Sequence, residues 1–274
     1  MPCKTELHCF DNCIYPSYSI GKSGHPCAAS MITDANLTAS VATAQLQPLF
    51  PSTVVLRSAP IRDHFASLAG SEQSCVTRAV QSRRAEFSTG RFLAADGLRE
   101  LGVGAFPLER GSHNEPLWPP GIVGSISHSS GVCVVAMART QDMKFIGVDV
   151  ESSTADVTKI SELIMTDGEY RYGTMCESVT LADRTRITFC AKEAIYKGVF
   201  PLVARFVDFK EVALEIDADT QTFVARACND GHLDQILRTG VGRFTIADSV
   251  LISSFYCEAL HAGSTAGRRG RSAR

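Results

Sequence analysis

Two carboxylates, Asp149 and Glu151, stand two residues apart in the run IGVDVE, where Ile146, Val148 and Val150 alternate with Gly147, Asp149 and Glu151. A period of two belongs to a strand. It puts both acids on one face with Cα atoms about 7 Å apart, which suits a shared hard cation. Charged pairs on solvated strand faces are common, so this pair needs company. The run AKEAIYK supplies it: on a helix Glu193 and Lys197 are four apart and share a flank, while Lys192 lies roughly 100° round from Glu193. By itself that is an ordinary surface salt bridge. A third set lies upstream, where Val80, Arg84, Phe87, Arg91, Ala94, Leu98 and Leu101 follow one another at steps of four and three. Arg84 and Arg91 thus fall on the stripe due to face a core, about 10 Å apart, and either reach past it to water or meet something anionic there. His128, beside Ser127, sits at a turn between strands. Three carboxylates, two lysines, two arginines and a histidine, with no Walker-type loop anywhere, fit a magnesium-bound diphosphate. The metal would neutralise phosphoryl oxygens and the cations would hold the rest.

The elements that must position these residues can be read in outline. Residues 76–101 carry the helix stripe, and ERGSHNEPLWPPG after it has the Pro and Gly punctuation of a loop. IVGSISHSSGVCVVAMA reads as strand, turn, strand, and residues 144–151 as a third strand. Residues 157–176 are expected to be helical, and residues 187–200 form a stronger helix with Ile187, Ala191, Ala194, Ile195 and Gly198 on its apolar side. Strands are predicted at 206–216, 222–227 and 242–256. Helices and strands are interspersed without regular βαβ alternation, so the expected fold class is α+β with largely antiparallel sheets.

Composition bounds the function. With 274 residues, 45% hydrophobic and 20% charged, the chain is too apolar for disorder and large enough for one big domain or two similar halves. No run approaches the roughly 18 apolar residues of a membrane span. Lys+Arg of 27 against Asp+Glu of 29 gives a net charge of −2, which argues against a nucleic-acid coat. Arg268, Arg269, Arg271 and Arg274 crowd the last seven residues, so residues 261–274 are expected to form a basic disordered tail. Residues 1–40 lack periodicity and read as an irregular leader, leaving 41–140 and 141–260 as two halves. Cys3, Cys9, Cys13 and Cys27, with His8 and His25 between them, match none of the usual CxxC zinc spacings. Ten cysteines without a recognisable signal peptide point to a reducing cytoplasm, with Cys133, Cys190 and Cys257 as small hydrophobes in apolar runs.

Taken together, RRAEFSTGR (83–91), EPLWPPGIVGSISHS (115–129), IGVDVE (146–151) and FCAKEAIYKGVFPL (189–202) resemble the 4′-phosphopantetheinyl transferases of the enterobactin-synthetase-activating type. The likeness runs in order over about residues 46–256. It implies a monomeric pseudo-dimer of two similar α+β halves that binds coenzyme A and Mg²⁺ in the cleft between them. Such enzymes move the phosphopantetheine arm from coenzyme A to a serine of an apo acyl or peptidyl carrier protein, releasing adenosine 3′,5′-bisphosphate. Carried over by position, Asp149, Glu151 and Glu193 would be the magnesium ligands, and Lys197 and Lys192 would hold the diphosphate. Arg84 and Arg91 would meet the 3′-phosphate, Ser127 and His128 would contact phosphate, and Arg110 would lie near the nucleotide. A serine hydroxyl needs a base at neutral pH. Glu169 aligns with an acid that some members use for this, and Glu193 competes for the role.

The family run G-R-x-x-A-R is broken here by Ala95, which implies one contact fewer to coenzyme A unless Arg99 substitutes. Arg171, Arg184 and Arg186 are candidate docking charges for an acidic carrier. The same acids and lysines could serve another Mg²⁺-dependent phosphoryl enzyme such as a nucleotide phosphatase, or survive in a non-catalytic nucleotide- or carrier-binding module. A generic phosphatase has no need of the Ser-His pair with the stripe arginines.

Overall fold

The computed structural model describes residues 43–155, 157–172 and 179–260, so the expected leader and basic tail lie outside the described residues. The first half of the chain forms α1 (Thr43–Leu46), β1 (Val55–Pro60), α2 (Gly70–Val76), α3 (Gln81–Glu100), β2 (Ile122–Ser129) and β3 (Val132–Arg139). The second forms β4 (Met143–Ser152), α4 (Ser161–Ile164), α5 (Asp167–Tyr172), α6 (Leu181–Val203), β5 (Val212–Asp217), β6 (Thr222–Ala227), α7 (Gly231–Leu237), β7 (Val241–Ala247) and β8 (Val250–Glu258). Two sheets result, ordered β1-β3-β2 and β4-β8-β7-β6-β5, and every pairing within them is antiparallel. The α+β class with antiparallel sheets is therefore the observed one.

Each sheet carries one long helix. Leu93 and Leu98 of α3 pack on Val135 and Met137 of β3, and Ile195 and Val199 of α6 pack on Phe145 and Phe255 of the larger sheet. The opposite faces share a third core, with Val132 and Val134 of β3 against Ile146 and Val148 of β4 and Ile252 of β8. Two similar helix-on-sheet halves thus back onto each other, a pseudo-dimer. Burial on both faces explains why β3 reads as an unbroken apolar run rather than an alternating one. Among the described residues, no helix is long and apolar enough to cross a membrane.

Local differences from the sequence expectation have physical causes. The helix expected over 76–101 is shorter: α2 ends at Val76, the chain turns at residues 77–80, and α3 starts only after Val80, which is 71% exposed. The stripe holds from Phe87 onward. Within the helix expected over 157–176, residues 157–172 fall in short pieces, with α5 beginning after Thr166, and residues 173–176 lie outside the described residues. The single strand expected at 242–256 is the hairpin β7–β8, turning at Asp248 with φ of 53° and no Gly or Pro to announce it.

Glycines set the distance between α6 and β4. A Cβ on Gly147 would stand 1.8 Å from the Ala194 carbonyl oxygen and 2.8 Å from the Gly198 nitrogen. Backbone therefore lies on backbone, which draws the acids of β4 and the charged flank of α6 together. Gly147→Ala is expected to cost about 3 kcal/mol or more, since neither rigid element can yield. The midpoint and slope of urea unfolding would measure it.

Candidate active site at the seam between the sheets

Strands β2 and β4 lie side by side where the two sheets meet, and side chains replace the missing backbone ladder. Ser125 Oγ accepts from Val148 N–H at 3.1 Å, and Ser127 Oγ accepts from Val150 N–H at 3.2 Å. Ser127 also donates to Asp149 Oδ1 at 2.9 Å and accepts from Lys197 Nζ at 3.0 Å. Lys197 Nζ reaches the same Asp149 oxygen at 2.5 Å. Asp149 is fully buried, and its Oδ2 accepts no hydrogen bond. A buried carboxylate oxygen without a donor is costly unless something else approaches it.

The electrostatics gather the rest. Burial above all, then repulsion from Asp149 and Glu193, pushes Glu151 up to about 9. Burial alone would lower Lys197, but Asp149, Glu193 and Glu151 together hold it above its ordinary value. The three expected carboxylates and Lys197 thus share one buried neighbourhood. Among the described residues, no three His, Cys, Asp or Glu side chains are assembled as a metal site. The donor set nonetheless fits a hard divalent cation: all-oxygen ligands, an excess of negative charge and one unsatisfied carboxylate oxygen.

At the end of β2 the character changes to cationic. Arg83 donates to His128 Nε2 at 3.2 Å, so that nitrogen is the acceptor and Nδ1 carries the proton, facing Glu86 Oε2 at 3.7 Å. Burial, then the charges of Arg83 and Lys197, lowers His128 to about 3, so the imidazole is neutral throughout the physiological range. Arg91 is buried too, with Nε donating to the Leu108 carbonyl at 2.7 Å and the guanidinium 4.3 Å from the Phe87 ring centre. Burial lowers it only to about 10, and Glu72, Arg110 and Arg83 are among the charges it feels. Arg110, on the loop after α3, donates to Asn114.

Other expected site residues are not brought here. Arg84 bends to the surface, paired with Asp63 at 2.5 Å and lying over the Phe65 ring. Its neighbour Arg83, about 100° round the helix, takes the inward place beside His128. Lys192 points to the other side of α6, as its 100° offset requires, where Nζ donates to the carbonyls of Ile164 and Phe209 and to Glu169 Oε2 at 2.8–2.9 Å. Glu169 is held in turn: Oε1 accepts from Leu214 N–H at 2.8 Å, and Oε2 accepts from Thr166 N–H as well as Lys192. Both of its oxygens are thus engaged in buried contacts on the far side of α6 from Asp149.

The docking expectation changes as well. Arg186 is anchored to the Ala155 carbonyl and Asp183, Arg184 is half-buried, and the Arg171 side chain lies outside the described ones. Ala95 faces solvent and Arg99 pairs with Asp96 at the surface, so neither bears on the site. A cavity of about 490 Å³ opens farther down the seam, lined by Ser112, His113, Trp118, Lys144, Phe200 and Pro201 among others, and by none of the expected site residues. Lys144 is about 16 Å from Asp149 along β4, so charge and not volume locates the chemistry.

Residues 71–138 match the model of the 4′-phosphopantetheinyl transferase N-terminal domain, and residues 145–247 match the 4′-phosphopantetheinyl transferase superfamily. The 4′-phosphopantetheinyl transferase PptT of Mycobacterium tuberculosis is 34% identical over 190 residues, covering 67% of this chain and 83% of the relative. This chain belongs to the 4′-phosphopantetheinyl transferase superfamily. Npt of Nocardia iowensis, 31% identical over 195 residues, covers 67% of this transferase and 86% of its own length. Enterobactin synthase component D of Salmonella typhi is 35% identical over 122 residues, which is 44% of this chain and 50% of the relative. In this transferase the two matched regions meet at the β2–β4 seam. Sequence reasoning missed Arg83, which stands in the same motif one residue before the arginine it chose. It also missed Ser125, which fixes β4 immediately before Asp149. Phase along α3 could have found the first; only the side-by-side strands reveal the second.

Proposed function

We propose that this enzyme transfers the 4′-phosphopantetheine arm of coenzyme A to the serine hydroxyl of an apo acyl or peptidyl carrier protein, releasing adenosine 3′,5′-bisphosphate. The observation that carries this reading is one seam with a buried acid cluster around the unpartnered Asp149 Oδ2 beside the cations Lys197, Arg83, Arg91 and Arg110. Asp149, Glu151 and Glu193 would hold Mg²⁺ through hard oxygens. When bound, the metal would disperse the negative charge of the diphosphate. Lys197 balances charge that builds on the phosphates during in-line displacement. Arg83, Arg91 and Arg110 receive the 3′-phosphate end of the nucleotide, with neutral His128 positioned by Arg83. With Glu169 engaged by Lys192 and two backbone N–H groups, Glu193, in the acid cluster, accepts the serine proton. The serine oxygen bonds to the β-phosphorus as the bond from that phosphorus to the bridging oxygen breaks.

The site is built within one chain, which supports action as a monomer, with halves dividing near Thr140 between β3 and β4. Relatives named enterobactin synthase component D favour a synthase carrier as the partner, and the reaction we propose is cytoplasmic and needs neither membrane nor nucleic acid. The arginines give the test. Arg83→Ala is expected to raise the dissociation constant for coenzyme A by about 10–100-fold, the loss of one charge-assisted contact. Arg84→Ala, removing a surface partner of Asp63, should leave it nearly unchanged. Isothermal titration with Mg²⁺ present would decide, and the opposite ranking would refute this placement of the 3′-phosphate.

A further inference from the structure

Upstream of the site, one buried acid does work that the reaction scheme leaves unassigned. Glu72 lies in the short helix α2 and is 7% exposed. Its two oxygens are spent on two backbone donors: Oε2 accepts from Ala69 N–H and Oε1 from Leu108 N–H, both at 2.9 Å. The carbonyl of the same Leu108 accepts from Arg91 Nε at 2.7 Å. Leu108, 1% exposed, is therefore held on both its polar groups by an acid and a base that also feel each other's charge. Two residues later comes Arg110. Its loop closes on itself through Leu117 N–H to the Glu109 carbonyl at 3.0 Å and Gly111 N–H to the Glu115 carbonyl at 2.8 Å. Leu108 is thus the buried post from which this small loop projects, and Glu72 and Arg91 fix the post.

We propose that Glu72 is a positioning residue for coenzyme A, holding Leu108 so that the Arg110 loop stands ready for the nucleotide. The proposal rests on the reading that Arg110 meets coenzyme A. The position calls for a group that only accepts and has two oxygens. A glutamine of the same shape can satisfy one N–H but turns its own NH₂ toward the other, and it withdraws the negative charge facing Arg91. The loop then spends part of its time out of place, and apparent affinity falls by the competent fraction while the chemistry of bound substrate is untouched.

The test compares wild type, Glu72→Gln, Arg110→Ala and the double variant in steady-state transfer to an apo carrier protein, varying coenzyme A. Glu72→Gln is expected to raise KM for coenzyme A about tenfold with kcat within about twofold and KM for the carrier unmoved. In the double variant the two effects should combine to less than their product, since both act through one loop. An unchanged KM for coenzyme A, effects that multiply, or a fall in kcat that accompanies KM for both substrates would overturn the role. If Arg110→Ala itself leaves KM unchanged in an active enzyme, the reading of the Arg110 loop fails and the proposal falls with it, whereas Glu72 alone failing leaves that reading intact. Should Glu72→Gln not accumulate folded, Glu72→Asp keeps the charge and one N–H bond, and is expected to show the same pattern at smaller size.

Discussion

Replacing Asp149 with asparagine is expected to slow arm transfer by about a thousandfold while the protein remains folded. The amide keeps the shape and can still accept from Lys197 and Ser127, but it puts an NH₂ where Oδ2 now lacks a partner and removes the charge of the acid cluster. Asp149→Ala should lose the same rate and, in addition, about 3–5 kcal/mol of stability, because the buried Lys197 ammonium loses its ion-pair contact. The two losses can be separated. Adding Lys197→Met to Asp149→Ala should restore much of the stability and none of the activity. Single-turnover rates with urea titrations on the three proteins measure both quantities, and an undiminished rate in Asp149→Asn would remove this residue from the site.

Glu169→Ala is expected to do the reverse: destabilise by about 3–5 kcal/mol and leave kcat per folded molecule within about threefold. Its removal strands the ammonium of Lys192, which is buried at 2% side-chain exposure, and leaves Leu214 N–H without its acceptor. The sequence resemblance offered Glu169 as a base, and its three hydrogen bonds favour instead a brace that fixes α5 and β5 against α6. A large fall in kcat at unchanged stability would return the base to Glu169 and take it from Glu193.

These two residues show what could be read in advance and what could not. Asp149 was legible because period two assigns a face, and a face is all that an acid pair on a strand requires. Glu193 and Lys197 were legible for the same reason on a helix, and the Gly147 and Gly198 contact then brings the two faces together. Lys192 and Glu169 lie together on another side of α6, because adjacency in a motif says nothing of direction; the offset of about 100° of Lys192 from Glu193 already separated the two. The exchange of Arg84 for Arg83 has another cause. One residue is about 100° of helix: Arg83 lies one turn before the buried Phe87 and reaches His128, whereas Arg84 turns to Asp63 at the surface. Ser125, the clamp on Leu108 and the β7–β8 turn depend on contacts between distant segments or on a positive φ at Asp248. No local pattern encodes them.

The central claim is covalent and has a direct measurement. Purified protein incubated with Mg²⁺, coenzyme A and an apo carrier should add the mass of one phosphopantetheine arm to the carrier, seen by intact-protein mass spectrometry, with one equivalent of adenosine 3′,5′-bisphosphate formed. Carriers of nonribosomal peptide, polyketide and fatty acid type should be offered in parallel, since the site describes coenzyme A more fully than its partner. No mass gain on any of them, under conditions where an established transferase modifies the same preparations, would contradict the account.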